Sequence, residues 1–400
     1  MTNPEHKTFS HKAAHFLGIS TSLFSIVFTT RLIVDSGIRM TYPFIPQISK
    51  GLSMSISAFS WLLFVRSASS IFSPVFGVMA DRYGRRKIMA LAMLSQSVGM
   101  VGLLVVPQWW RIIPMILFGF GSNAFIPAQQ AYVSDQVPFE KRGRAIASVD
   151  ISFAVAGIFI MPIIGRMIEN YGWQTPFIVL SILSLISAVV IWIRFPQSEI
   201  RTTSSQKLAN TRRILLKPNV LASVGVGFLI FLAFGGFITI WSLWMSGDFG
   251  FDAPALGDLA RSIGIAELLG AGLVGLLIDR LGKRRGSLIS ILILVVLLIL
   301  MPLAQEYLNY VKIILILSGG VFEFVIIALF SLYAEQAPKA RATLFSLVAV
   351  GNSLGMGLGA PIAAKLWEYK GLPAFTVFAV PSLILAAILI VLLLNEKGEY

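Results

Sequence analysis

The 400-residue chain contains no cysteine, which excludes disulfide frameworks, thiolate metal sites and thiol nucleophiles. Charge is scarce as well. Asp, Glu, Lys and Arg together make up 13% of the residues, where a soluble domain carries roughly a quarter. Histidine occurs three times. His11 and His15 have a helical spacing compatible with a metal, but they stand in a polar N-terminal tail, so no metal site is expected. There is no phosphate-cradling G-x-x-x-x-G-K-[ST] loop, so ATP does not drive the protein directly, and no cofactor is expected. No pair of carboxylates placed for hydrolysis is present, which argues against an enzyme.

Apolar residues are what the chain has in abundance, at 56% of the total. So much apolar surface with so little polar surface to cover it requires a bilayer. A hydrocarbon core about 30 Å thick needs roughly 20 helical residues per crossing. Twelve runs of that kind lie near 20–47, 56–80, 88–106, 111–136, 145–168, 174–193, 219–245, 254–278, 287–304, 311–334, 343–366 and 374–394. They are continuous rather than alternating in hydropathy, which selects helices over a barrel. The expected fold is an all-α membrane protein of twelve transmembrane helices. Residues 1–15 are polar, and the first apolar run carries Arg31, Asp35 and Arg39 with no small-residue cleavage site. It therefore reads as a span and not as a cleaved signal.

The net charge of +13 resembles that of a nucleic-acid binder, but the cations sit in short loops between apolar runs. They report topology, and no nucleic-acid partner is expected. With the N-terminus placed inside, 22 of the Lys and Arg residues fall on the inner side and six on the outer, while Arg31, Arg39, Arg66 and Arg261 lie within spans. The excess of inner cations places both termini in the cytoplasm of a cell (inner) membrane protein. The longest connection, 194–218, is basic and splits the spans six and six. It reads as a cytoplasmic linker beside anionic headgroups, between bundles at 1–193 and 219–400.

The two halves carry one motif twice. Gly77-Val-Met-Ala-Asp81-Arg82-Tyr-Gly84-Arg85-Arg86-Lys87 closes span 2, and Gly275-Leu-Leu-Ile-Asp279-Arg280-Leu-Gly282-Lys283-Arg284-Arg285 closes span 8, 198 positions later. Asp135-Gln-Val-Pro138 and Glu335-Gln-Ala-Pro338 echo each other at an offset of 200. Two motifs repeating in order at nearly one offset mark a duplicated six-span unit. The first motif resembles the G-x-x-x-D-R-x-G-R-[RK] loop signature of the major facilitator superfamily, and the second is similar to that family's degenerate copy. Pro138–Ala145 resembles the family's basic loop between spans 4 and 5. The resemblance covers the whole chain. It implies two six-helix bundles, pseudo-symmetric about a central cavity lined by spans 1, 4, 7 and 10, which opens alternately to each side.

The motif residues have a physical reading beside the resemblance. Gly77 and Gly84 permit close helix approach and a tight turn. Asp81, at an inner helix end, suits the positive N-terminus of another helix; the resemblance makes that helix span 11 and Asp81 a conformational latch. Arg85 is placed to pair with Asp135, and Lys283 or Arg284 with Glu335. Arg82, Arg86, Asp279 and Arg280 complete the expected latch residues.

Charges inside a bilayer cost several kcal/mol, so each is a functional candidate. Glu267 lies 12 residues before Asp279, Glu323 12 before Glu335 and Asn123 12 before Asp135, about 18 Å at 1.5 Å per residue. With Asp35 near mid-span, polar groups from spans 1, 4, 8 and 10 are expected at one level. Asp35 has Arg31 and Arg39 a turn away on either side and Arg66 at similar depth. It reads as an ionised pairing partner. Asp150, two turns into span 5, reads as a structural partner for Arg142 or Arg144. Glu323 and Glu267 have no cation on their own face, so they are the candidates for an exchanged proton; a pair with Arg261 is the structural alternative for Glu267. The expected substrate and coupling residues are thus Asp35, Arg39, Arg66, Asn123, Arg261, Glu267 and Glu323.

Weaker features complete the reading. Gly157-Ile-Phe-Ile-Met161-Pro162-Ile-Ile-Gly165-Arg166 resembles the antiporter signature G-x-x-x-G-P-x-x-G-G, with Met161 and Arg166 replacing two glycines. Span 11 carries Gly351, Gly355, Gly357, Gly359 and Pro361, which permit close packing and bending. Trp109, Trp110, Trp173 and Trp367 fall at outer span ends and read as an interfacial belt. Phe44, Phe125, Trp241 and Phe324 are candidates for an apolar cavity wall, with packing as the plain alternative. The function expected is proton-coupled export of a moderately apolar, drug-like solute by a monomer in the lipid bilayer. The competing readings are proton-coupled metabolite uptake, lysolipid flipping with Arg39 and Arg66 on an anionic head group, and a sensor that transports nothing.

Overall fold

The computed structural model describes residues 18–196, 217–338 and 341–396. The linker expected at 194–218 lies outside the described residues except at its ends, as do His11, His15 and Lys397. Among the described residues, twelve helices are long and apolar enough to cross a membrane. Spans 1–6 are Thr21–Met40, Ile56–Tyr83, Arg85–Val105, Gln108–Gln136, Arg142–Tyr171 and Thr175–Arg194. Spans 7–12 are Pro218–Asp248, Ala253–Leu281, Lys283–Leu303, Leu308–Gln336, Thr343–Lys370 and Leu372–Leu393. Their outward faces carry Leu, Ile and Val (Leu276, Leu292 and Ile193 are 65–70% exposed), a surface that suits lipid and not water. Trp109 and Trp110 stand 88% and 62% exposed at the start of span 4.

Prolines shape two spans differently from the expectation. Span 1 does not run to residue 47. The helix stops at Met40 and restarts as a short helix, Ile45–Gly51. Pro43 and Pro46 supply no N–H, and a residue ahead of proline avoids the helical region, so the chain turns at Thr41–Phe44. Span 5 is continuous but widens into a π turn over Ala156–Ile160, immediately ahead of Pro162. That is a common response to a missing N–H.

The chain forms two compact units. The described residues of the first fall within Met1–Arg39, Ile71–Ala156 and Gln174–Thr203. Its helices meet through small and polar residues. Cβ atoms placed on Gly99 and Gly121 would overlap the backbones at Phe118 and Gln96, and Ser97 and Ser181 share a 2.9 Å hydrogen bond. Such contacts hold helices where lipid removes the hydrophobic drive between them.

The described residues of the second unit fall within Met40–Ser70, Gly157–Trp173 and Ser204–Tyr400. It therefore packs the first part of span 2 and the last part of span 5 with spans 7–12. Gly355 and Gly359 of span 11 lie against the Phe228 and Leu232 carbonyls of span 7, and Gly357 against Ser67 and Phe64 of span 2. The glycine run of span 11 is thus a packing surface on two sides. Span 8 meets span 5 at Gly257 against Met161 and Gly264 against Gly157.

Candidate functional site

In the first unit, span 1 carries a buried charge cluster. Helical spacing brings Arg31 and Asp35 together, with Arg31 Nε donating to both Asp35 carboxylate oxygens at 3.0 Å. Span 5 closes the cluster. Ser152 Oγ donates to Asp35 at 2.5 Å, and Arg31 Nη1 lies 3.2 Å from Asp150 Oδ1. Gln130 of span 4 donates to Asp150 at 3.4 Å. Asp35 is 1% exposed and Arg31 7%. The Arg39 guanidinium lies 4.7 Å over the Phe153 ring. Arg31 and Asp35 are thus buried as a hydrogen-bonded ion pair, which makes their burial tolerable. Asp150 therefore serves Arg31, although the loop cations Arg142 and Arg144 are nearer in sequence; the turn-by-turn alignment of spans 1 and 5 decides it. Asn123, in span 4, is only partly buried, and its carbonyl accepts from Ser73 Oγ at 2.9 Å.

In the second unit, Arg66 braces the break after span 1. Its guanidinium donates to Thr41 Oγ1 at 2.8 Å and to Tyr42 Oη at 3.1 Å. The Tyr42 carbonyl, whose usual donor four residues on is the N–H that Pro46 lacks, accepts from Ser242 Oγ of span 7 at 2.9 Å. The same logic operates in span 5. Pro162 provides no N–H for the Ile158 carbonyl, and Arg261 Nε of span 8 donates to it at 3.2 Å. Arg261 also lies 3.7 Å from Asp258, which pairs with Arg166 at 3.5 Å. Arg261 thus reaches Ile158 of span 5 while lying beside Asp258 of its own helix. Phe44, Phe125 and Trp241 are buried packing residues, and Phe324 packs on Val274, Ile278 and Ala328.

The two intramembrane glutamates flank one helix crossing. Gly270 of span 8 lies against the Gly320 carbonyl of span 10, and Gly319 against Ile263. Glu267 stands three residues before this crossing and Glu323 three after it. Equal counts from Asp279 and Glu335 predict a shared depth. Gly320 also lies against the Ala266 carbonyl, so the crossing pairs positions 50 to 56 apart, and Glu267 and Glu323, 56 apart, stand beside that one crossing. Glu267 is 7% exposed and Glu323 is partly buried.

The loop motifs are duplicated in three dimensions as well as in sequence. Gly84 and Gly282 both take positive φ, 95° and 81°, and each ends its helix through an N–H to the carbonyl four residues back. Arg85 pairs with Asp135, Lys283 with Glu335. Arg86 donates to the Phe195 carbonyl at the end of span 6, and Arg284 to the Val391 carbonyl near the end of span 12. Cations at helix C-termini complement the macrodipole. Asp81 lies 3.6 Å from Arg85, and Arg82 packs on the Tyr83 ring. Asp279 and Arg280 are exposed. Gly77 differs from the expectation of close approach: a Cβ there meets no atom within 4 Å, since this part of span 2 packs through Phe72 and Phe76 on Phe120. Sequence reasoning missed Glu396, whose carboxylate accepts the Lys283 and Arg284 N–H groups at 2.7 and 3.1 Å. A lone acid after the last span offered no periodicity to read.

The family profile described as Major Facilitator Superfamily matches residues 27–244 and 224–399. The chain belongs to the major facilitator superfamily. Among members of the superfamily, the multi-drug resistance efflux pump PmrA of Streptococcus pneumoniae serotype 4 is 29% identical over 267 residues, covering 63% of this chain and 66% of the pump. That match spans just under two thirds of the pump's length. The multidrug resistance protein MdtG of Yersinia enterocolitica is 28% identical over 287 residues, 68% of each chain. The crystal structure of a D-xylose-proton symporter superposes with a TM-score of 0.76 at 15% identity, covering 94% of this chain and 98% of the symporter. A bacterial homologue of the human lysosomal transporter Spinster, in an inward-facing and occupied conformation, gives 0.69 at 16%, covering 93% and 94%. The twelve-span major facilitator fold follows, and the chain is a multi-pass membrane transporter rather than an enzyme.

Proposed function

We propose that this transporter exports moderately apolar, drug-like organic compounds in exchange for protons, by alternating access. The observation that carries the reading is the likeness to proteins named as a multi-drug resistance efflux pump and a multidrug resistance protein, at 29% and 28% identity. The two bundles, 1–193 and 219–400, pivot as a monomer in the bilayer with both termini cytoplasmic. Asp81 meets the N-terminus of span 11 in the outward-facing form, and the duplicated motif residues latch the inner side. Glu323 exchanges the coupled proton, with Glu267 beside the same helix crossing as its partner. Asp35 is held by Arg31 and Ser152 within its cluster, which supports a structural duty. The anionic-head-group reading draws less support, because Arg66 is engaged by Thr41 and Tyr42 and Arg39 by Phe153.

The test is flux of a lipophilic organic cation in proteoliposomes under an imposed pH gradient. Wild-type protein moves the dye and releases protons on binding it. Glu323→Gln retains dye affinity and loses gradient-driven flux. Unchanged coupling in that variant removes Glu323 from the role, and absence of any flux by wild-type protein defeats the transport reading itself.

A further inference from the structure

Spans 7, 10 and 11 enclose a small notch in the second unit, walled by Gly227 and Ile230 of span 7, Ile326, Phe330 and Tyr333 of span 10, and Asn352 of span 11. Two polar atoms in it have no hydrogen-bond partner, Tyr333 Oη and Asn352 Oδ1. Both side chains are deeply buried, at 2% and 8% exposure. An aromatic hydroxyl and an amide oxygen each lose their full hydration when buried unpaired, and native structures rarely leave such groups so. We propose that the notch is a hydration site holding one water molecule, which accepts from Tyr333 Oη–H and donates to Asn352 Oδ1.

Three observations select water over an organic ligand. The positions open to the centre of a water molecule occupy about 10 Å³, room for one water and nothing larger. The two unpartnered atoms are a hydroxyl, which donates or accepts, and an amide oxygen, which accepts; a molecule that does both satisfies each at once. Gly227 keeps the space open, since a Cβ there would overlap Asn352 Oδ1 and stand 3.3 Å from Val348 Cγ1. Phe330, 37% exposed, forms the outer wall, so the water exchanges past a single side chain. The site is independent of the transport reading and of the glutamates at the span 8–10 crossing. It sits at the Gln336 end of span 10, where a three-helix junction is knit through a replaceable molecule instead of a direct side-chain bond.

Radiolytic hydroxyl-radical labelling of the purified full chain tests the site, because bound water generates the radical beside its neighbours. Tyr333 labels rapidly in wild-type protein and several-fold more slowly in Gly227→Ala, where the added methyl displaces the water. Equal rates in the two proteins overturn the proposal. A thermal-unfolding cycle provides the second arm and does not depend on Gly227→Ala folding. Tyr333→Phe and Asn352→Leu each lower the unfolding temperature by stranding the water's other partner. The double variant is less destabilised than the two losses added together. Strictly additive losses mean that no shared water joins the residues and overturn the assignment.

Discussion

Arg261 Nε donates to the Ile158 carbonyl at 3.2 Å, across the boundary between spans 8 and 5, at the one position where Pro162 withholds the α-helical donor. The bond explains why a span-8 cation reaches across to span 5. It also gives Pro162 a purpose: by freeing a carbonyl it creates the acceptor for a neighbouring helix. Ser242 on the Tyr42 carbonyl, opposite Pro46, repeats the device.

A double-mutant cycle follows from that geometry. Arg261→Gln removes the donor and costs about 1 kcal/mol of stability, the usual net worth of a hydrogen bond. Pro162→Ala returns an N–H to the Ile158 carbonyl, so Arg261→Gln in that background costs markedly less. Chemical denaturation in detergent measures both, and equal costs in the two backgrounds disconnect Arg261 from the proline.

The paired motifs predict a contrast between Gly77 and Gly84, two glycines seven residues apart. Gly84→Ala forces a Cβ onto a backbone at φ 95° and costs about 1–3 kcal/mol. Gly77→Ala places its Cβ in open space within a helix and gains up to about 1 kcal/mol of helix propensity. Unfolding temperature should fall for Gly84→Ala and hold or rise for Gly77→Ala. A stable Gly77→Ala protein with lost transport would locate the close approach of Gly77 in another conformation of the cycle.

Much of this was legible before any coordinates. The twelve spans, the duplicated loops and the Arg85–Asp135 and Lys283–Glu335 pairs follow from hydropathy and from a fixed offset of charged residues, both one-dimensional signals. What escaped depends on register between helices. That Asp150 serves Arg31 and that Arg261 turns to Ile158 are set by where one helix crosses another. Glycine contacts such as Gly270 on Gly320 fix those crossings, and no count along a single helix contains them. The break at Met40 was encoded in Pro43 and Pro46, but an unbroken apolar run masked it.

Glu396 supplies a cap to span 9 that has a simple test. Its carboxylate accepts two N–H groups at the first turn of the helix, where negative charge is favoured by about 0.3–1 kcal/mol. Glu396→Gln keeps an acceptor oxygen but loses the charge, so stability falls by that amount and the loss shrinks as salt rises. A loss independent of ionic strength assigns the effect to hydrogen bonding alone.

The span 1 cluster predicts an order of severity rather than a single value. Arg31 is the shared cation of Asp35 and Asp150, so Arg31→Gln leaves the buried Asp35 carboxylate without its cation. Stranding one member of a buried pair costs about 3–5 kcal/mol. Asp35→Asn leaves Arg31 with Asp150 still beside it and a neutral amide that keeps hydrogen bonds to Arg31 and Ser152, and so costs less. Asp150→Asn costs least, since its side chain is 41% exposed and the Arg31–Asp35 pair survives. The double variant Arg31→Gln with Asp35→Asn removes the stranded charge and is less destabilised than Arg31→Gln alone. Thermal unfolding of the four proteins ranks them, and a double variant worse than Arg31→Gln would show that Arg31 is held by packing and not by the two carboxylates.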